Sequence, residues 1–177
     1  MNLAHSEKII NLVCDYLMEN GDKVSDNGLY IAIDPGAGRT NSIGWAIFLN
    51  DGRPAGMGQL TYEGLVDKLY NELNNIPVAL VICEDYRIRR EKISSHVGSR
   101  VETIQTIGTI RAWCQLKNIK LELQKSNILR LAEKQFGIAM PTDHTQSHQY
   151  SALLHGFWYL HRIGKAKTVL EREHDAS

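Results

Sequence analysis

Two short apolar runs, each ending on acid, constrain this chain more than any other feature. Leu29-Tyr30-Ile31-Ala32-Ile33 runs into Asp34-Pro35-Gly36, and Val78-Ala79-Leu80-Val81-Ile82-Cys83 runs into Glu84-Asp85. Apolar runs of this length, bounded by turn residues, predict buried strands. A carboxylate at the tip of a buried strand does not serve packing. Two strands that both finish on acid are the usual arrangement for holding a divalent metal. A further apolar run, Ile43 to Leu49, follows the first after a short polar link containing glycine. The chain is therefore expected to deliver Asp34 at a strand end and turn back as a hairpin.

The 177 residues fit one domain with a sizeable core. An apolar fraction of 43% with 23% charged residues is that of a soluble globular protein. No run approaches the ~18–20 apolar residues of a membrane helix, so no membrane partner is expected. The N-terminal segment is amphipathic and carries Glu7, Asp15 and Glu19, unlike the basic start of a signal peptide. Cys14, Cys83 and Cys114 are odd in number and far apart, which fits neither a zinc site nor a disulfide framework. A reducing cytoplasm is the expected location.

A net charge of zero conceals segregation. Residues 1–83 hold ten acids and five Lys/Arg, and residues 84–130 hold five acids and ten Lys/Arg. The basic stretch begins directly after Glu84 with Arg87, Arg89, Arg90 and Lys92. A basic patch beside an acidic site suits a polyanionic substrate. Its bland counterpart is a solvated helix face.

The order of elements is α/β. A helix is expected over 3–20, then strands near 29–34, 43–49 and 54–61, the last two joined by the turn Asn50-Asp51-Gly52. Leu65, Leu69 and Leu73 predict a helix over 62–74, followed by a strand over 77–84. Residues 86–96 read as a loop. Val101, Ile104, Ile107, Ile110 and Trp113 recur every third residue and predict a helix over 97–117. A strand over 119–123, a helix over 126–136 ended by Gly137 and a last long helix over 144–164 complete the domain. The expected divisions are 1–27 as an N-terminal helix and linker, 28–164 as the main domain and 165–177 as a flexible tail.

On the last helix, His144, His148, Ser151 and His155 are spaced 4, 3 and 4. At ~100° per residue they share one narrow stripe. Any one of these histidines alone reads as a surface residue. Three imidazoles and a hydroxyl on one line are too polar for an ordinary core face. Asp143, just before the helix, reads as its N-cap and as a reserve carboxylate. Asp85 points to the opposite strand face from Glu84.

Three antiparallel strands, a helix, a strand, a helix, a strand and a closing helix give the order of the ribonuclease-H-like fold, a mixed five-stranded sheet flanked by helices. Here an N-terminal helix is added. Within that order, Asp34-Pro35-Gly36 with Gly44-Trp45-Ala46 resembles the first motif of the RuvC-like Holliday junction resolvases. Ile82-Cys83-Glu84-Asp85-Tyr86-Arg87 resembles their second, and His148-Gln149-Tyr150-Ser151-Ala152 their third, particularly as in bacteriophage members. The resemblance implies a homodimeric endonuclease that cuts branched DNA, such as a four-way junction, with two Mg2+ or Mn2+ ions. It would act in the cytoplasm, that of the host if phage-encoded. By position it implies Asp34, Glu84 and His148 as metal ligands, with Ser151 where the family has its last aspartate. A hydroxyl is a poor substitute for a carboxylate at a hard cation.

The residues agree in chemistry. Phosphodiester hydrolysis needs an activated water and a stabilised leaving oxygen, which two divalent ions about 3.5–4 Å apart can supply. His148 is expected to ligate a metal or activate water, and His155 and Asp143 to support from behind. Arg39, Thr40, Arg87, Arg89, Arg90 and Lys92 are the expected DNA-backbone contacts. The main competitor is a module of the same fold that binds branched DNA without cutting it, because Ser151 is neutral. An RNA–DNA hybrid nuclease shares the fold. An actin-like nucleotide site would need a second domain and a second glycine-rich motif. The absence of G-x-x-x-x-G-K-[ST] excludes a P-loop.

Overall fold

The computed structural model describes residues 28–36, 43–86, 99–143 and 146–175. The expected N-terminal helix, His144 and all six expected DNA contacts, Arg39, Thr40, Arg87, Arg89, Arg90 and Lys92, lie outside the described residues.

Five strands form one sheet in the order β3-β2-β1-β4-β5. They are β1 (Leu29–Asp34), β2 (Ile43–Phe48), β3 (Pro54–Leu60), β4 (Val78–Asp85) and β5 (Lys120–Lys125). β1, β2 and β3 are antiparallel neighbours, while β1–β4 and β4–β5 are parallel. This is the mixed, ribonuclease-H-like sheet expected from the element order. Every residue of β1 and β2 is buried. Strands covered on both faces read as unbroken apolar runs, the pattern seen at 29–33 and 43–49.

One face of the sheet is covered by α1 (Tyr62–Asp67) and α2 (Ser99–Leu116). Ile31, Ile33, Trp45, Ile47, Val81 and Cys83 meet Leu65, Leu69, Ile110 and Trp113 there. Burial pushes the Cys83 thiol well above its ordinary value, aided by the Asp34 and Glu84 charges, and raises Cys114 to about 11. Both thiols are packing groups at neutral pH. The other face carries Tyr30, Ala32, Ala46, Phe48, Leu80 and Ile82 against α4 (Ser147–Arg162). α3 (Leu129–Phe136) packs beside α4 and stops at Gly137, whose φ of +66° is the left-handed cap position.

One expected helix needs correction. The helix over 62–74 is α1 followed by a π-turn, Lys68–Glu72, closed by a bond from Leu73 N–H to Lys68 C=O. Lys68 is buried there, with Nζ 2.6 Å from Glu72 Oε2 and 4.3 Å from the Trp45 ring centroid. In α2 the inward face runs Thr103, Thr106, Ile110, Trp113, while Ile104 is 47% exposed. A strict three-residue repeat drifts by about 60° per step on a helix of 3.6 residues per turn, so the isoleucine stripe winds out toward solvent. The expected tail carries α5 (Val169–Asp175). Lys165 Nζ donates to the Asn50 carbonyl at 2.6 Å, and Arg172 Nη2 to the Phe136 carbonyl at 3.1 Å. Among the described residues, no helix is long and apolar enough to cross a membrane.

Candidate active site

Side chains alternate along a strand, so Asp34 follows Tyr30 and Ala32 onto the α4 face of β1. Glu84 follows Leu80 and Ile82 onto the same face of β4. The β1–β4 ladder pairs Ile33 with Cys83, which leaves Asp34 and Glu84 as the next residues on adjacent parallel strands. Asp34 pairs across the sheet with Gly44 of β2, and Glu84 with Gln124 of β5. A single row therefore crosses the sheet: Gly44, Asp34, Glu84, Gln124. α4 lies over this row and points His148, Ser151 and His155 at it.

Gly44 permits the approach. A Cβ at this position would collide with the carbonyl of His148, so any side chain on β2 here would lift the helix off the sheet. The sequence shows Gly44 as part of an apolar run. Only the packing shows which backbone it must admit.

Asp34 is nearly buried and its carboxylate is fixed from two sides. The Gly36 backbone N–H donates to Oδ1 at 2.8 Å, and His148 Nδ1 lies 3.2 Å from Oδ2. The hydrogen bond to Asp34 raises the His148 pKa above its ordinary value, against the opposing effect of burial, with the Asp34 and Glu84 charges also raising it. Thr103 of α2 reaches from the opposite layer and donates its hydroxyl to the Gly36 carbonyl at 2.6 Å. The turn after Asp34 is thus held by a residue of the opposite layer.

Glu84 faces a second imidazole. His155 is fully buried, with Nε2 3.6 Å from Glu84 Oε2 and Nδ1 2.9 Å from Gln124 Oε1. Ser151, between the two histidines, is buried, and its Oγ has no hydrogen-bond partner among the described residues. Gln124 was not singled out by sequence reasoning. The signal was available, because it shares strand parity with Glu122 and opposes the apolar Leu121 and Leu123. Asp143 is exposed in the bend before α4. The helix begins at Ser147 with Gln146 in the cap position, so Asp143 is not its N-cap. Asp85 pairs with Lys125 at the end of the β4–β5 ladder.

The donors come in two pairs, Asp34 with His148 and Glu84 with His155. Among the described residues no three His, Cys, Asp or Glu side chains already converge as a ligand set. In type, two carboxylates and two imidazoles suit a divalent ion that accepts both oxygen and nitrogen. Ser151 Oγ, Gln124 Nε2 and His155 Nε2 have no hydrogen-bond partner among the described residues, and buried polar atoms of this kind are ones a bound group would satisfy.

No family model and no curated protein matches the chain. Solved structures do. A Thermus thermophilus RuvC bound to a Holliday junction substrate superposes with a TM-score of 0.52 at 12% identity, over 80% of this chain and 99% of that one. The chain has the RuvC fold. A second Thermus thermophilus RuvC structure matches over the same shares at 12% identity, with a TM-score of 0.48. Within this RuvC-like fold the row Gly44–Asp34–Glu84–Gln124 occupies the strand ends, where the two acid-tipped runs of the sequence converge.

Proposed function

We propose that this chain is a divalent-metal-dependent endonuclease that cuts branched DNA, acting as a two-fold dimer. One observation carries the reading: Asp34 and Glu84 end adjacent parallel strands on the same face, beneath a helix that gives each of them an imidazole. The fold shared with a protein solved on a Holliday junction supports the same substrate class. A four-way junction has approximate two-fold symmetry, which a two-fold dimer would match.

Asp34 and Glu84 would hold the metal, with His148 completing the Asp34 side. A divalent ion there supplies an activated water and stabilises the leaving oxygen. The chain's own residues fix the geometry. The Gly36 N–H and His148 lock the Asp34 carboxylate, and Thr103 secures the turn that carries that N–H. Ser151 adds no charge. Arg39, Thr40, Arg87, Arg89, Arg90 and Lys92 are the proposed contacts to the DNA backbone, fixing position without reading sequence. The cytoplasm is the proposed site of action, that of a host cell if the chain is phage-encoded.

A second reading rests on Ser151. A buried neutral hydroxyl in place of a carboxylate weakens a hard-cation site, which favours a protein that binds junctions but cuts them poorly. Cleavage of a labelled four-way junction with Mn2+ and with Mg2+ separates the two. Metal-dependent cutting that is lost in Asp34→Asn is expected for the nuclease. Tight junction binding without cutting, and activity gained in Ser151→Asp, would establish the second reading instead.

A further inference from the structure

We infer that His155 Nε2 and the Glu84 carboxylate form a ligand pair for one divalent transition-metal ion, with Gln124 orienting the imidazole. The inference rests on the metal-dependent reading above and adds a ligand and its positioning residue to it.

Gln124 Oε1 lies 2.9 Å from His155 Nδ1. With that carbonyl oxygen as acceptor, the ring hydrogen sits on Nδ1, the tautomer that leaves the Nε2 lone pair open to a metal. That lone pair is fully buried and has no hydrogen-bond partner among the described residues. It faces Glu84 Oε2 at 3.6 Å, a carboxylate oxygen that likewise only accepts. Two acceptors held face to face in a buried site repel unless a proton on Nε2 or a metal ion lies between them, and the metal titration below separates the two.

The surroundings agree. A metal-binding histidine characteristically donates its second ring N–H to a carbonyl or carboxylate that fixes tautomer and ring orientation. Gln124 does this from β5, directly opposite Glu84 in the β4–β5 register. Ser151, one turn earlier on the same helix face, contributes an unpartnered hydroxyl but no charge. The Glu84 side chain retains 18% exposure, so an ion reaches the pair from the solvent side of Glu84. The imidazole sets the metal class. Mn2+ accepts nitrogen more readily than Mg2+, which demands oxygen and keeps its waters.

The test is Mn2+ and Mg2+ titration of the full chain by calorimetry, with electron spin echo spectroscopy of bound Mn2+ to detect coordinated imidazole nitrogen. His155→Gln is expected to weaken Mn2+ binding by about tenfold or more, leave Mg2+ binding within about twofold, and remove one nitrogen coupling. Gln124→Leu keeps the imidazole but loses its acceptor, and is expected to weaken Mn2+ by about tenfold. A folded His155→Gln protein with wild-type Mn2+ affinity and unchanged nitrogen coupling would overturn the inference. If that variant does not fold, unchanged Mn2+ affinity in Gln124→Leu overturns it. Mn2+ binding that depends on Asp34 but ignores both substitutions defeats this inference alone. No Mn2+ binding by the unaltered chain defeats the metal-dependent reading and this inference with it.

Discussion

On the α2 face of the sheet, Ile31, Ile33, Val81 and Cys83 meet Ile110 and Trp113 in a continuous apolar layer. One residue along the same strands, on the α4 face, the apolar layer of Ala32 and Ile82 stops at the strand ends. It gives way to Asp34, Glu84 and Gln124 under His148, Ser151 and His155. The backbone is shared, and strand parity alone decides which layer a side chain joins. The first face is built for burial. The second spends its last row on polar groups, and Gln124 Nε2, Ser151 Oγ and His155 Nε2 have no hydrogen-bond partner among the described residues. Stability and chemistry are thereby separated by a single residue step, and substitutions should sort accordingly.

The largest expected effect is on the polar row. Asp34→Asn should reduce metal-dependent junction cleavage by roughly a thousandfold, about 4 kcal/mol of barrier, while leaving the urea midpoint little changed. Ile31→Ala, on the opposite face, should do the reverse. It should cost about 3 kcal/mol of stability in urea denaturation, with the rate per folded molecule kept within about twofold at low temperature. Gly44→Ala should blur the distinction, because a methyl there strikes the backbone of α4 at His148. It is expected to cost about 2 kcal/mol and to lower cleavage as well, measured by pairing denaturation with single-turnover rates. Thr103→Val tests the bond from α2 to the turn after Asp34, and should cost about 1 kcal/mol with a modest fall in rate.

The smallest effect is in the pH profile. His148 has a raised pKa through its bond to Asp34, so the folded state binds this proton more tightly than the unfolded chain does. In the metal-free protein its contribution to stability is therefore full below about pH 6.5 and fades as pH rises through the raised folded value. His148→Gln should flatten that fall in a denaturation series across pH. Metal binding requires the imidazole unprotonated, so Mn2+ affinity should climb over the same interval.

Much of the sheet was legible in the sequence because its central strands are unbroken apolar runs with acid or turn residues at their ends. The bounds of β1 are those expected, and the ends of β2 and β4 moved by one residue. The chemistry-bearing types were also legible: Asp34 and Glu84 from their placement, and His148, Ser151 and His155 from their spacing. What was not legible depended on neighbours far away in sequence. Gln124 matters through its register with Glu84, forty residues earlier in the chain. Thr103 faces inward because α2 rotates its threonines, not Ile104, toward the turn after Asp34. Lys68 is buried because a π-turn and the Trp45 ring receive it. The pairing of donors, Asp34 with His148 and Glu84 with His155, follows from the path of α4 across the sheet, which no local pattern encodes.

The β1–β4 ladder has a consequence for how activity and folding are joined. Adjacent strands sit about 4.8 Å apart, and that spacing, rather than any side-chain contact, sets how far apart the two carboxylates begin. A slip of one residue between β1 and β4 would turn one acid to the far side of the sheet. The site therefore has no partly assembled version: a molecule either has the whole ladder in register or has no paired acids at all. A cleavage assay on this chain would count correctly zipped sheets, and a variant destabilised in the apolar layer, such as Ile31→Ala, should lose active molecules without slowing those that remain.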